Sequence, residues 1–182
     1  MNINDVKTIT EDSFLKELKE KGISMEEIPS LLIEKLSLKG LKIATAESCT
    51  GGLISKLITD RSGASDVFDC GVCSYANCIK EKVLGVSHET LDAFGAVSPD
   101  TAKEMAEGIL RLSDADISVS TTGIAGPSGG TPDKPVGLVY IGVATKARTD
   151  IIKADFSAKN NNRGKNRQLS AILALYCALI SI

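Results

Sequence analysis

Ala46-Glu47-Ser48-Cys49-Thr50-Gly51-Gly52 decides how the rest of the 182-residue chain is read. An apolar run, Leu41 to Ala44, leads into it, and a helical pattern, Leu53, Ile54, Leu57 and Ile58, leaves it. A strand that ends in small hydroxyl residues and glycines, then opens a helix, belongs to an open α/β sheet. There, ligands sit beyond the carboxyl ends of strands, and the first N–H groups of the next helix have no partner within it. Ser48 is the candidate nucleophile at that junction. The same pattern also serves a plain turn, in which Ser48 or Thr50 caps the helix and the glycines make the bend.

On the N-terminal side, Met25, Ile28, Leu32 and Leu36 recur at helical spacing, with Ser24 as cap and Gly40 as stop. Residues 1–22 are polar and charged. Their only helix-like apolar set is Phe14, Leu15 and Leu18, which suits a short docked helix or a loose arm, so the chain divides into an extension, 1–22, and one domain, 23–182.

On the C-terminal side, Val67 to Tyr75 reads as a second strand, followed by a helical stretch with Ile79, Lys80, Val83 and Leu84. Ser98-Pro99-Asp100 starts a scaffold helix, with Ser98 as cap and Pro99 in the first turn. Ile117 to Ser120 reads as a third strand, and Val136–Thr145 and Ile151–Phe156 as a hairpin, which makes the sheet mixed rather than purely parallel. Leu169, Ile172, Leu173, Tyr176 and Ile180 form one face of a closing helix.

Composition excludes several classes of function. A net charge of -2 gives no basic face for nucleic acid, and no apolar run approaches the ~20 residues that span a bilayer. Five cysteines, an odd number without a leader-like start, suit a reducing cytoplasm. Cys70 and Cys73 have the spacing of a redox or zinc pair, yet in an extended strand they point to opposite faces, and small buried hydrophobes account for both. The single histidine, His88, lies in a polar helix start, so a multi-histidine metal site is excluded and a Ser-His-Asp triad requires His88 to fold into the site.

A base for Ser48 must then be Lys, Asp, Glu or Tyr. Lysine serves when burial pulls its pKa below about 10.4, and Lys80, beside a strand end, is the best placed. The stretch Gly123 to Gly130 lacks the Gly-Lys-Ser/Thr ending of a phosphate-binding loop. As bare backbone it can bring N–H groups to an anion or oxyanion, and it also suits a purely structural loop with Pro127 and Pro132 as rigid turns.

These residues, together with Tyr75-Ala76-Asn77, Leu84-Gly85-Val86, Gly95-Ala96-Val97-Ser98, Thr122-Gly123-Ile124-Ala125-Gly126-Pro127 and Lys134-Pro135-Val136-Gly137, resemble the CinA C-terminal domain family over residues 25–182. The resemblance implies a three-layer α/β/α sandwich with a mixed, mostly parallel sheet, a homodimer, and a nicotinamide mononucleotide amidase that yields nicotinic acid mononucleotide and ammonia. It implies a serine with lysine and tyrosine, here Ser48, Lys80 and Tyr75, and calls for no cofactor. Thr50, Gly51, Gly52, Asn77, Thr122, Gly123, Ala125 and Gly126 are the implied substrate-binding positions.

The family often carries Gly-Asp-Arg before the last helix, where this chain has Asn161-Asn162-Arg163. The acidic residue is lost while Arg163 and Arg167, one turn apart, are kept as candidate ligands of the nucleotide phosphate. The implied chemistry is acyl transfer: neutral Lys80 deprotonates Ser48, Ser48 attacks the carboxamide, and N–H groups at Ser48 or in Thr122–Gly126 hold the oxyanion. Tyr75 relays a proton or holds Lys80. The alternative is a non-catalytic pyridine-nucleotide-binding regulator on the same fold, against which the joint presence of Ser48, Tyr75 and Lys80 argues.

Overall fold

Every residue of β2 (Ile43–Glu47) is buried, because the strand lies between β3 (Phe68–Cys73) and β4 (Ile117–Gly123) and carries helices on both faces. In this computed structural model, which describes residues 7–159 and 161–182, the other strands are β1 (Lys7–Thr10), β5 (Leu138–Thr145) and β6 (Thr149–Asp155). One six-stranded sheet results, in the order β1-β6-β5-β4-β2-β3. Three of its five pairings are parallel and the two on either side of β5 are antiparallel, so it is mixed and mostly parallel.

Parallel neighbours need crossovers, and these supply the outer layers. Between β2 and β3 run α3 (Leu53–Thr59) and α4 (Ala64–Val67); between β3 and β4 run α5 (Asn77–Leu84), α6 (His88–Phe94) and α7 (Pro99–Ser113). The first layer is completed by α1 (Glu11–Lys21), α2 (Ile28–Lys39) and α8 (Arg163–Ser181), and a 3-10 turn spans Ser157–Lys159.

Strand alternation divides the interior into two cores. Ile43, Ile117 and Val119 face the α2–α3–α8 layer with Leu32, Ile54, Leu173 and Tyr176, while Ala44 and Ala46 face α5 and α7 with Leu84, Met105 and Ile109. On the α7 side the sheet is lined by small residues. Ser118 and Ser120 of β4 donate to the α7 carbonyls of Ala106 and Ala102 at 2.7 and 2.5 Å, and the absence of a side chain at Gly142 admits the Ala102 carbonyl. The helix therefore sits close to the strand by hydrogen bonds as well as by apolar packing.

Some boundaries differ from the sequence expectation, each for a local reason. The strand expected from Leu41 begins at Ile43 because Leu41 still closes α2, its N–H donating to Leu36 O at 2.9 Å behind the left-handed Gly40. α2 starts at Ile28, not behind Ser24: Pro29 occupies its first turn, and the Ser24 amide and hydroxyl instead donate to the Glu27 carboxylate. Ser98 does cap α7, accepting from Thr101 N at 3.1 Å.

Residues 7–22 are built into the fold, and 1–6 of the expected extension lie outside the described residues. β1 adds a parallel edge strand to β6, and α1 buries Phe14 and Leu18 in the main core. The Phe14 ring meets Tyr176 at 5.5 Å between centroids, and Tyr176 donates to the Glu17 carboxylate at 2.6 Å. A buried Phe contributes about 1.5–3 kcal/mol relative to exposure, and Leu18 and the Tyr176–Glu17 hydrogen bond add to it in docking α1.

Candidate active site

The nucleophile turn is shaped by its own backbone and by one buried carboxylate. Ser48 follows the last residue of β2, and its N–H donates to Thr121 O at 3.0 Å, which extends the β2–β4 ladder by one bond. The chain then turns through Gly51 and Gly52 at φ 58 and 89, the left-handed region that glycine occupies without strain. Glu47, fully buried, accepts from the Ile54 and Ser55 amides at 3.1 and 2.8 Å and from the Ser55 hydroxyl at 2.8 Å. These are first-turn donors of α3, so the residue beside Ser48 satisfies the helix start.

Lys80 reaches Ser48 from the other side of the sheet end. It shares the inward face of α5 with Leu84, four residues on, and is 1% exposed. Its Nζ donates to Ser74 O at 2.6 Å, lies 3.4 Å from Tyr75 O, and is 3.1 Å from Ser48 Oγ. Burial pulls its pKa below the ordinary lysine value, and the only charge acting in the opposite sense is that of Cys49. Burial pushes the Cys49 thiol up to about 12, so that thiol is uncharged near neutrality and the opposing influence vanishes.

The three contacts define which proton Lys80 gives up. Carbonyl oxygens only accept, so a neutral amine keeps its two N–H bonds on Ser74 O and Tyr75 O and turns its lone pair to Ser48. That is the arrangement of a general base held ready for a hydroxyl proton.

Ser48, Cys49, Tyr75 and Lys80 line a cavity of about 240 Å³ whose far wall is Thr122, Gly123, Ala125 and Gly126, with Arg163 at its edge. The structure thus brings together the expected nucleophile, base, tyrosine and glycine loop. The Tyr75 phenol is not what holds Lys80: the ring is 66% exposed, its hydroxyl accepts from Arg163 Nη2 at 3.1 Å, and the lysine is held by main-chain carbonyls.

Other expected positions do not line this cavity. The Thr50 hydroxyl is buried against that of Thr121 at 2.7 Å, Gly51 and Gly52 shape the turn behind Ser48, and Asn77 is an exposed first-turn residue of α5. The two arginines also part company. Arg163 donates to Gly126 O at 2.8 Å beside the cavity, whereas Arg167 directs Nε and Nη2 onto Thr50 O at 3.1 and 2.5 Å. Four residues on a helix advance slightly more than one turn, enough to aim the two side chains at different loops.

Asn162, standing where the family often has Asp, caps α8 by accepting from Lys165 N at 2.9 Å, and Asn161 donates to Glu11 at 2.8 Å. The loop is thus tied by neutral amides in place of the lost acid. Two residues given no role from sequence also shape the site: Glu47, and Asn166, whose Nδ2 donates to Ala125 O at 3.1 Å. The signal for Asn166 was a polar helix face, 163, 166 and 167, at a spacing of three and four.

His88 stands on the surface between Glu81 and Asp92, which raise its pKa, at the start of α6 and away from the cavity. Cys70 is half-buried and Cys73 exposed on the edge strand, so neither is the fully buried hydrophobe expected, and both are free thiols. A larger cavity, about 370 Å³, lies between α2 and α8 among Ile23, Leu31, Leu38 and Tyr176; Lys21, Glu34 and Lys35 also line it, but no serine, threonine or cysteine does. Among the described residues, no helix is long and apolar enough to cross a membrane.

Comparison with known proteins agrees with this architecture. A putative competence-damage inducible protein of Caldanaerobacter subterraneus is 56% identical over 148 residues, covering 81% of this chain and 36% of the relative. A CinA-like protein of Leptospira interrogans is 60% identical over 121 residues, covering 66% of this chain and 28% of its own. The chain spans about a third of the length of the curated relatives it matches. Among solved structures, the competence/damage inducible protein CihA of Agrobacterium tumefaciens superposes with a TM-score of 0.80 at 41% identity, covering 86% of this chain and 94% of that one. A CinA superfamily protein of Escherichia coli superposes at 0.82 and 30%, covering 87% and 91%. The sequence profile described as the CinA C-terminal domain matches residues 25–181, and the chain belongs to that family.

Proposed function

We propose that the protein is an amidohydrolase that cleaves the carboxamide of nicotinamide mononucleotide, giving nicotinic acid mononucleotide and ammonia. The observation that carries this reading is the 3.1 Å approach of a buried, carbonyl-held Lys80 Nζ to Ser48 Oγ. Lys80 accepts the Ser48 proton as Oγ bonds to the carboxamide carbon. The resulting oxyanion is met by amides of the Ser48 turn and the Thr122–Gly126 loop, and the proton held on Lys80 passes to the departing nitrogen. Water, deprotonated by the same lysine, then hydrolyses the ester on Ser48 and frees the acid.

Substrate size fits a partly enclosed ligand. At about 240 Å³ the cavity is smaller than the ~300–1,000 Å³ of pockets that enclose whole drug-sized molecules. The pyridine and ribose fill it, and the phosphate emerges at the edge where Arg163 stands. The reaction needs no metal or cofactor, and five free cysteines suit a cytoplasmic setting. The test is to incubate the purified protein with nicotinamide mononucleotide and follow ammonia and nicotinic acid mononucleotide. Their one-to-one appearance supports the reading, whereas tight binding of the nucleotide without ammonia favours a regulator that keeps only the pocket.

A further inference from the structure

The α8 face formed by Arg163, Asn166 and Arg167 holds backbone carbonyls in both loops that flank the cavity. Arg167 takes Thr50 O through two nitrogens, Asn166 takes Ala125 O at 3.1 Å, and Arg163 takes Gly126 O at 2.8 Å. A trans peptide unit is planar, with the C=O of one residue antiparallel to the N–H of the next. A pinned carbonyl therefore aims the following amide the opposite way.

That rule gives two chains of consequence. In the first loop, Arg167 fixes the Thr50–Gly51 unit, and its Gly51 N–H donates to Ser48 O at 3.2 Å. Ser48 O belongs to the Ser48–Cys49 unit, so the Cys49 N–H is turned away from it. In the second loop, Asn166 fixes Ala125 O and so orients the Gly126 N–H directly. Apart from a contact of the Cys49 amide with its own sulfur, neither the Cys49 nor the Gly126 amide donates to another group among the described residues, although Cys49 is 6% exposed and both residues line the cavity. Amides without an oxygen acceptor in so covered a place call for one that arrives with the ligand.

We infer that Arg167 and Asn166 are positioning residues that aim the N–H groups of Cys49 and Gly126 into the cavity as the two oxyanion donors, an inference that rests on the amidase reading. Neither side chain lines the cavity. Each acts through a peptide unit, and Arg167 adds charge to the chain of hydrogen bonds that ends at the amide beside the nucleophile. Arg167 thus has a role other than phosphate binding. Its effect appears when charge develops on the carboxamide oxygen and not when the ground-state substrate binds.

The experiment compares wild type, Arg167→Lys and Arg167→Ala for ammonia release from nicotinamide mononucleotide. Beside it are measured the affinities for nicotinic acid mononucleotide and for a substrate analogue carrying a boronic acid in place of the carboxamide, which adds Ser48 Oγ to give a tetrahedral anion. Removal of one oxyanion donor costs about 10²–10³ in kcat, and loss of its aim costs somewhat less. Arg167→Ala is expected to lower kcat by about ten- to a hundredfold and to weaken the boronate by a similar factor, with the product acid bound within about twofold of wild type. Arg167→Lys, which keeps the charge but loses the two-nitrogen grip, falls between. The inference is overturned by an unchanged kcat in folded Arg167→Ala, or by a product affinity that falls as far as kcat/KM. If the alanine variant does not fold, wild-type kcat in Arg167→Lys overturns it. Absence of ammonia from the wild type contradicts the amidase reading itself, whereas full turnover by wild type and Arg167→Ala alike contradicts only this inference.

Discussion

Lys80 Nζ lies 3.1 Å from Ser48 Oγ although the two residues stand 32 positions apart, one just past β2 and the other on the inward face of α5. The contact exists because β2 and β3 are parallel neighbours whose carboxyl ends open on the same side, as Ser74 N donating to Glu47 O at 2.8 Å shows. Each helix that follows such a strand starts from that edge. The sheet order therefore determines which side chains can meet, and burial tunes the lysine once they do.

Cys49, next to Ser48 and intrinsically the stronger nucleophile, is expected to be inert. Its thiol is 6% exposed and burial raises its pKa to about 12, leaving almost no thiolate near pH 7. Cys49→Ala should keep kcat within about threefold and lose on the order of 1 kcal/mol of stability from the small void. Wild-type activity should survive treatment with iodoacetamide. A thousandfold loss in Cys49→Ala would transfer the nucleophile to the cysteine.

Lys80 has a directional pH signature. Its folded pKa is lowered, so kcat/KM should rise with pH as the amine loses its proton, through an apparent value below the ~10.4 of free lysine. Lys80→Arg should be nearly inactive, since a guanidinium does not deprotonate. Stability carries the same sign: between the lowered value and about 10.4 the unfolded chain binds a proton that the folded one lacks, so stability rises with pH there, and below that window the cost of burying the charge is fully present. In urea melts at about pH 7 and about pH 10, wild type should gain on Lys80→Met at the higher pH. A pH-independent difference between them, or ample turnover by Lys80→Arg, would show that the base lies elsewhere.

Tyr75 and Arg163 are expected to act on binding rather than on proton transfer. The phenol meets Arg163 while the Tyr75 carbonyl faces Lys80, so Tyr75→Phe should leave the pH profile in place, with kcat within about threefold and KM raised. Arg163→Ala removes a cation beside the cavity and should lower kcat/KM for the mononucleotide by about ten- to a hundredfold, with little change for the phosphate-free nucleoside. Collapse of kcat in Tyr75→Phe to the level of Lys80→Arg would put the phenol in the proton path.

Gly108 links packing to chemistry. A Cβ there would press into the Leu84 carbonyl oxygen at the end of α5, one turn beyond Lys80. Gly108→Ala must push α5 away from α7, which should cost about 1–3 kcal/mol and lower kcat as Lys80 leaves Ser48. Thermal unfolding and kinetics on the same preparation test this, and a destabilised variant with unaltered kcat would break the proposed link.

Much of this architecture could be read from residues whose chemistry is local. Gly40, Ser98-Pro99 and the glycines after Ser48 mark their helix ends and turn through backbone constraints that operate within four residues. Lys80 is legible because it flanks the junction where a strand ends and a helix begins, and its burial follows from sharing the inward face of that helix with Leu84. By contrast, β1 offers a single buried residue, Ile9, within four, too short a pattern to announce a strand; its partner, β6, lies some 140 residues away. The divergence of Arg163 and Arg167 was hidden for a related reason: helical spacing puts both on one side, but the loops they meet come from β2 and β4. Glu47 and Asn166 act on backbone groups supplied by other elements: the polar face of α8 marks Asn166 but not the Ala125 carbonyl it meets, and nothing beside Glu47 announces the α3 amides it accepts from.

Ammonia release from nicotinamide mononucleotide by wild type and by Ser48→Ala, measured side by side on folded protein at equal concentration, decides whether Ser48 is the nucleophile. Wild type should release ammonia steadily in step with nicotinic acid mononucleotide, and Ser48→Ala should fall to background while still binding the nucleotide, because the substitution removes one hydroxyl from a turn held by Thr121 O and Glu47. No ammonia from wild type, or equal release by both proteins, would contradict the assignment of Ser48 as the nucleophile of an amidase.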